Sequence, residues 1–163
     1  ANGGNLMKPF IVERIDSARG DNILEREPEI RRRLVRDQTA RTLTDLLENV
    51  VTHGTGKSAA IPGYRVAGKT GTAQKIDFSL GTYSKTKVVG SFVGYAPADD
   101  PRFVMLVIID EPKGPGWGAV VAAPVFREVG GHILRHLKIP PRHDSDMQMA
   151  ATGSLLSRAA KSQ

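Results

Sequence analysis

Residues 63–75, GYRVAGKTGTAQK, place Lys69 after a glycine and run on through Thr70, Gly71 and Thr72. In an extended strand Lys69 and Gly71 fall on one face, Thr70 and Thr72 on the other. Glycine inside a strand costs stability and marks a bulge or a close approach by a ligand or another backbone. Together these residue types suit an extended peptide that ends in a carboxylate. The Lys69 ammonium supplies the countercharge, the hydroxyls of Thr70 and Thr72 donate hydrogen bonds, and the bare Gly71 lets an acyl group lie against the strand. On an edge strand, free N–H and C=O groups would pair with that peptide as an added strand. K-T-G alone is common by chance, and a solvated lysine in a turn is the plainer alternative.

A second phrase, GTGKS at 54–58, offers different chemistry. It looks like the end of a phosphate-cradling loop, whose full pattern needs a glycine where this chain has Val51. Such a loop should open a helix, so that backbone N–H groups face the anion. Here it follows a helical pattern and presents carbonyl oxygens, the wrong sign for phosphate. A helix-terminating loop is the favoured reading of Gly54–Ser58, and nucleotide binding the weaker one. His132 and His136 lie four apart on a predicted helix, but no H-E-x-x-H glutamate accompanies them, and surface histidines explain them better than a metal site. His53 and His143 add nothing to them.

The elements that must position Lys69–Thr72 follow from hydropathy patterning. Residues 6–15 read as a strand with Pro9 near its start, and 23–26 as a short return strand. Residues 28–36 read as a charged loop. Asp37 stands at an N-cap position, and Ala40, Leu43, Leu46, Leu47, Val50 and Val51 keep helical spacing over about 38–53, with Gly54 as the left-handed stop. Strands are expected at 63–76, 86–96 and 103–110. The last, FVMLVIID, is apolar at nearly every position and predicts burial on both faces at the centre of a sheet. After the EPKGPGWG loop, Val121 to Leu137 mark an amphipathic helix ending near Ile139. Pro124 fits only its first turn. Gly130 and Gly131 weaken its middle by about 1 kcal/mol each relative to alanine, so close packing or a bend is expected there. Residues 140–163 read as a mobile tail.

The chain of 163 residues carries a net charge of +6, with a sequence pI near 9.8 and no cysteine. That length suits one domain with a core. Disulfides, zinc–thiolate sites and cysteine nucleophiles are excluded. Arg31, Arg32 and Arg33 follow Glu25, Glu27 and Glu29 without interleaved aromatics, which favours a locally neutralised loop over a nucleic-acid surface. No apolar run is long enough to span a membrane. The opening ANGGN reads as a cut inside a larger protein.

The order and spacing of these motifs from residue 1 to about 139 resemble the C-terminal part of class B penicillin-binding proteins, with the division-type subgroup favoured. The resemblance runs through ANGG at 1–4, TARTLTDLLENVV at 39–51, GTGKSAAIPGYRVAGKTGTAQK at 54–75, SFVGYAPADDPRFVMLVIIDEP at 91–112 and VVAAPVFREV at 120–129. It implies an α+β fold, an antiparallel sheet flanked by helices, forming part of a penicillin-binding-protein/serine β-lactamase-like transpeptidase domain over 1–139, with K-T-G on an edge strand. It also implies that Lys69, Thr70, Gly71 and Thr72 bind the carboxylate of a peptidoglycan stem peptide or a β-lactam. The backbone N–H of Thr72 would be one of two oxyanion-hole donors, and losing such a donor costs about 3–4 kcal/mol of transition-state stabilisation. No cofactor and no nucleic acid is expected. The parent would work in the bacterial envelope, outside the cytoplasm, anchored by a segment absent here.

That family's reaction needs a serine activated by lysine in S-x-x-K, and a second motif, S-x-N. The one S-x-x-K here, Ser84 to Lys87, comes after K-T-G and falls in a loop entering a strand, where residues three apart do not meet. None of Asn2, Asn5, Asn22 or Asn49 completes S-x-N. The chain by itself is therefore expected to be inactive and to need the missing N-terminal half of the domain. A competing reading makes it a self-associating module, because apolar faces of the sheet and of the 38–53 helix would lack cover.

Overall fold

The computed structural model describes residues 1–79 and 81–142 and, of Lys85, the main chain alone. The expected tail falls mostly on residues 143–163, outside the described residues, and His143 lies there too. The described backbone separates into two compact units, residues 1–43 and residues 44 onward.

The first unit holds two small antiparallel pairs. Strand β1 (Asn5–Met7) pairs with β4 (Ile30–Arg33), and β2 (Arg14–Asp16) with β3 (Asn22–Glu25). The single strand expected over 6–15 is thus broken between Met7 and Arg14, a stretch that contains Pro9, which cannot donate to a ladder. The charged loop expected over 28–36 contains β4, whose side chains are all exposed. Glu29 pairs with Lys8 at 3.0 Å and Glu25 with Arg14 at 3.9 Å, so these acids neutralise the neighbouring strands rather than Arg31–Arg33.

Helix α1 (Asp37–Thr52) begins in the first unit and continues into the second. Asp37 is its first residue rather than its cap. The Asp37 carboxylate pairs with Arg41 one turn on, at 2.6 Å. The helix ends where Gly54 N–H donates to Asn49 O at 3.0 Å and Gly56 N–H to Val50 O at 2.9 Å. A short 3-10 turn, Lys57–Ala59, follows.

The second unit is built on one antiparallel sheet of order β5–β6–β7, comprising β5 (Ala67–Asp77), β6 (Thr82–Ala96) and β7 (Phe103–Asp110). The register pairs Lys69 with Val93 and Leu106, and Thr70 with Phe92 and Val107. Partners across a ladder share a face. One face therefore carries Gly68, Thr70, Thr72, Gly90, Phe92, Gly94, Met105, Val107 and Ile109, and packs on helix α3 (Ala123–His136), which follows the short α2 (Gly118–Val121). Phe92 and Phe126 are fully buried and meet edge to face, ring centroids 4.8 Å apart.

The other face carries Lys69, Gly71, Ser91, Val93, Val104, Leu106 and Ile108. At one end Ala67, Tyr95 and Ala98 pack with Leu47 of α1. There Thr44 and Tyr95 share a hydroxyl hydrogen bond of 2.8 Å, and Arg65 makes a forked pair with Glu48 at 2.7 and 2.5 Å. That pairing, chiefly its hydrogen bonds, holds the Arg65 pKa above its ordinary value. Away from that end Val104, Leu106 and Ile108 remain 61, 58 and 56 % exposed.

Three expectations change in this unit. β6, not β7, is the central strand, and β7 alternates between half-buried and exposed positions. Its unbroken apolar run records apolar character on both faces, and only the α3 face is covered among the described residues. Strand β5 starts at Ala67 instead of 63, because Tyr64 N–H turns back to Ile61 O and Gly63 takes a φ of 80°. The long helix is divided into α2 and α3, with Pro124 in the first turn of α3. Gly130 has a packing reason: a Cβ there would sit 2.8 Å from Ile61 Cδ1 and 3.2 Å from the Phe103 ring.

Phe92→Ala should lower unfolding free energy by about 3–5 kcal/mol, as expected for a buried aromatic. Leu106→Ala on the bare face should stay within about 0.5 kcal/mol. Urea unfolding of the full chain measures both.

Candidate functional site

Strand β5 occupies one margin of the sheet, so one side of its backbone has no strand partner among the described residues. Its glycines let neighbours approach. A Cβ on Gly68 would fall 2.5 Å from the Phe92 ring, and one on Gly71 would fall 2.6 Å from Ser91 Oγ. The strand therefore lies close on β6, with Lys69 held on the face opposite Phe92.

Lys69 is exposed, and its Nζ donates to Thr70 O at 3.0 Å. Among the described residues no carboxylate lies within ion-pair distance of it. Lys75, six residues on, differs. It pairs with Glu111 at 2.8 Å and with Asp110 at 3.0 Å, tying β5 to the end of β7. The hydrogen bond to Glu111 first, then that to Asp110, holds the Lys75 pKa above the ordinary 10.5. One lysine of the strand is neutralised; the other keeps an open positive charge.

The two threonine hydroxyls each have a partner from another segment. Thr70 Oγ1 shares a 2.9 Å hydrogen bond with Thr55 Oγ1 from the loop after α1. Thr72 Oγ1 accepts the Gly118 N–H at 3.3 Å. An N–H can only donate, so the Thr72 proton stays available to an incoming acceptor. Gly118 reaches this seat because it lacks a side chain: a Cβ there would lie 2.2 Å from Ser91 O and 2.4 Å from Gly71 O. Gly90 likewise makes room, since its Cβ would meet Gly116 O at 2.7 Å. Thr55 and Gly118 are contributors that sequence reasoning missed. Their signals were present in the G-T-G phrase and the glycine-rich EPKGPGWG loop, but only the register shows where both arrive.

The remaining sequence candidates lie elsewhere. Ser84 stands inside β6 rather than in a loop before it, is 7 % exposed, and its Oγ accepts the N–H groups of Thr86 at 3.2 Å and Lys87 at 2.9 Å. Those bonds make it a backbone clip. In the Gly54–Ser58 loop the N–H groups of Gly54 and Gly56 are spent on α1 carbonyls, which leaves them nothing for phosphate. His132 and His136 are exposed on α3.

The arrangement presents an open ammonium, two hydroxyls and an unpaired strand edge along a few residues of β5. It can receive an extended anion-terminated chain. It contains no base-activated nucleophile among the described residues.

Comparison with known proteins adds the following. A family model described as the penicillin binding protein transpeptidase domain matches residues 1–130. Stage V sporulation protein D of Bacillus subtilis is 40% identical over 143 residues, covering 86% of this chain and 22% of the relative. The peptidoglycan D,D-transpeptidase FtsI homolog of Mesostigma viride is 36% identical over 154 residues, covering 86% of this chain and 26% of the relative. The chain thus spans roughly a quarter of the length of these curated relatives. Among solved structures, penicillin binding protein 3 of Mycobacterium tuberculosis complexed with ampicillin superposes with a TM-score of 0.77 at 35% identity, covering 86% of this chain and 33% of that one. The D,D-transpeptidase domain of a peptidoglycan glycosyltransferase from Eggerthella lenta gives a TM-score of 0.70 at 34% identity, covering 86% of this chain and 30% of that one.

Gly118→Ala should lower stability by about 1–3 kcal/mol, because the added methyl meets two backbone carbonyls; urea unfolding tests this. Lys75 binds its proton more tightly folded than unfolded. Its pairing therefore stabilises fully below the ordinary lysine value of 10.5, and the gain is lost as pH rises through the higher folded value. The gap in thermal midpoint between the unsubstituted chain and Lys75→Met should narrow above that pH.

Proposed function

This chain belongs to the penicillin-binding protein transpeptidase family, and from that premise we propose that it carries one wall of the acyl-transfer site of a peptidoglycan D,D-transpeptidase of the division type. Lys69 and the hydroxyls of Thr70 and Thr72 receive the carboxylate of the stem peptide or of a β-lactam, and Gly71 lets the acyl group lie along the strand. The backbone N–H of Thr72 is one of two donors to the oxyanion that forms when serine attacks the carbonyl. The acyl–serine ester is then resolved by the amine of a second stem peptide. The observation that carries this reading is the Lys69 ammonium on the sheet margin, which has no carboxylate partner among the described residues, while Lys75 further along the strand is neutralised by two.

The nucleophile and the S-x-N motif come from the N-terminal half of the domain, so this chain is inactive alone. That half seats on the face of Lys69, where Val104, Leu106 and Ile108 are more than half exposed. Burying each of these side chains contributes at most about 1.5–3 kcal/mol toward holding the two halves together. The name peptidoglycan D,D-transpeptidase among the relatives supports work on the cell wall; in this reading the parent acts in the bacterial envelope outside the cytoplasm, anchored by a segment N-terminal to this one.

The same bare face supports a second reading, in which copies of this chain associate through it. Under that reading sedimentation of the chain alone gives dimers that Leu106→Asp returns to monomers.

Fluorescent penicillin tests the principal reading. The chain alone should take no label, and a mixture with the half bearing S-x-x-K should become labelled on that half. Lys69→Ala should slow labelling about 10–100-fold, the worth of a hydrogen bond to a charged group. Labelling of this chain by itself, abolished by Ser84→Ala, would falsify the proposal; so would an unchanged rate with Lys69→Ala.

A further inference from the structure

The two glycine-bearing phrases that compete in the sequence meet in space. Thr55, from G-T-G, and Thr70, from K-T-G, bond through their hydroxyl oxygens at 2.9 Å. The loop that carries Thr55 is fixed on both sides of it. Gly54 N–H donates to Asn49 O at 3.0 Å, and Gly56 N–H to Val50 O at 2.9 Å. A Cβ on Gly54 would lie 3.0 Å from Val50 O, and one on Gly56 would lie 3.1 Å from the same oxygen and 3.4 Å from the Phe92 ring. The glycines thus press the loop onto the end of α1 and hold Thr55 out toward β5. Thr55 itself is exposed, which is more than a residue needed only for packing requires.

Resting on the reading of β5 as a carboxylate-binding strand, we propose that Thr55 is a positioning residue for that site, fixing the direction in which Thr70 offers its proton. A hydroxyl has one proton and two acceptor pairs. In the Thr55–Thr70 bond one proton is used and the other is left over. An arriving anion selects the order in which Thr55 donates to Thr70 and Thr70 donates to the anion. In that order the first bond polarises the second and strengthens it. Without the Thr55 hydroxyl, Thr70 is a free rotor that must be ordered by the ligand itself. The same logic already operates at Thr72, whose oxygen is engaged by the Gly118 N–H. Both hydroxyls of the strand are then set from outside it, by two loops that are far apart in sequence.

A plain structural clip would affect every substrate equally; a positioning role concerns the carboxylate. The test uses the full chain mixed with the half that bears S-x-x-K, and measures acylation by benzylpenicillin and by its methyl ester, which lacks the anionic oxygen. Thr55→Val should slow the free acid about five- to tenfold and the ester less than twofold, and Thr55→Ser should restore the acid rate. The double variant Thr55→Val/Thr70→Val should be no slower than Thr70→Val alone, as for two groups acting as one unit. The thermal midpoint of the full chain should be unchanged by Thr55→Val, since the residue is exposed. An equal fall for acid and ester, additive losses in the double variant, or no change with the acid would each overturn the role of Thr55. Lys69→Ala separates the two readings. If it slows the acid while Thr55→Val does not, only the role of Thr55 falls. If it leaves the acid rate unchanged, the carboxylate strand falls and the role of Thr55 with it.

Discussion

The Phe92 ring lies across Gly68 and Gly94, and the arrangement of the β5 margin depends on that contact. A Cβ on Gly68 would fall 2.5 Å from Phe92 Cζ, and one on Gly94 2.8 Å from Phe92 Cε1. The ring takes the space of two missing side chains and meets the Phe126 ring edge to face. Interiors are packed densely enough that a ring in this position admits few alternative registers. Slipping β5 by one residue would carry Lys69 to the α3 face and set Thr70 with the bare apolar face. The face chosen by the lysine is thus decided by an aromatic residue on the neighbouring strand.

Charge completes what packing begins. The two lysines of β5 share a strand and sit on the same face by alternation up to the register irregularity between Gln74 and Ile76. Lys75 is drawn to the carboxylates at the end of β7, while Lys69 bonds only to a neighbouring carbonyl among the described residues. A lysine held among carboxylates has little left for a ligand. A lysine left with one neutral partner keeps most of its field for an anion.

Much of this was legible in the sequence. Helical spacing located α1 to within a residue, and the β-rich runs located all three long strands. The edge position of β5 came from the family resemblance that the motifs carry. Other features needed three dimensions. The apolar run of Phe103–Asp110 reads as a central strand because patterning reports which faces are apolar, not which are covered in a given chain. The return strand expected at 23–26 corresponds to β3, whereas β4 escaped because a four-residue strand made mostly of arginine has no period to detect. Thr55 and Gly118 were invisible as site residues for a further reason. Each contributes through a single polar atom brought to β5 by long-range register, and no local pattern encodes a contact spanning 15 or 46 positions.

After α3 the chain does not leave the body at once. Lys138 takes a φ of 55°, Arg142 N–H donates to Gly63 O at 2.8 Å, and the Arg142 guanidinium pairs with Asp99. Gly63 sits four residues before β5 and has no room for a side chain against Pro141. Tension applied to the polypeptide at residue 142 would accordingly be felt first at the threshold of β5, and only afterwards by the helix that precedes it in the chain. Mechanically, the far end of the described backbone is a handle on β5.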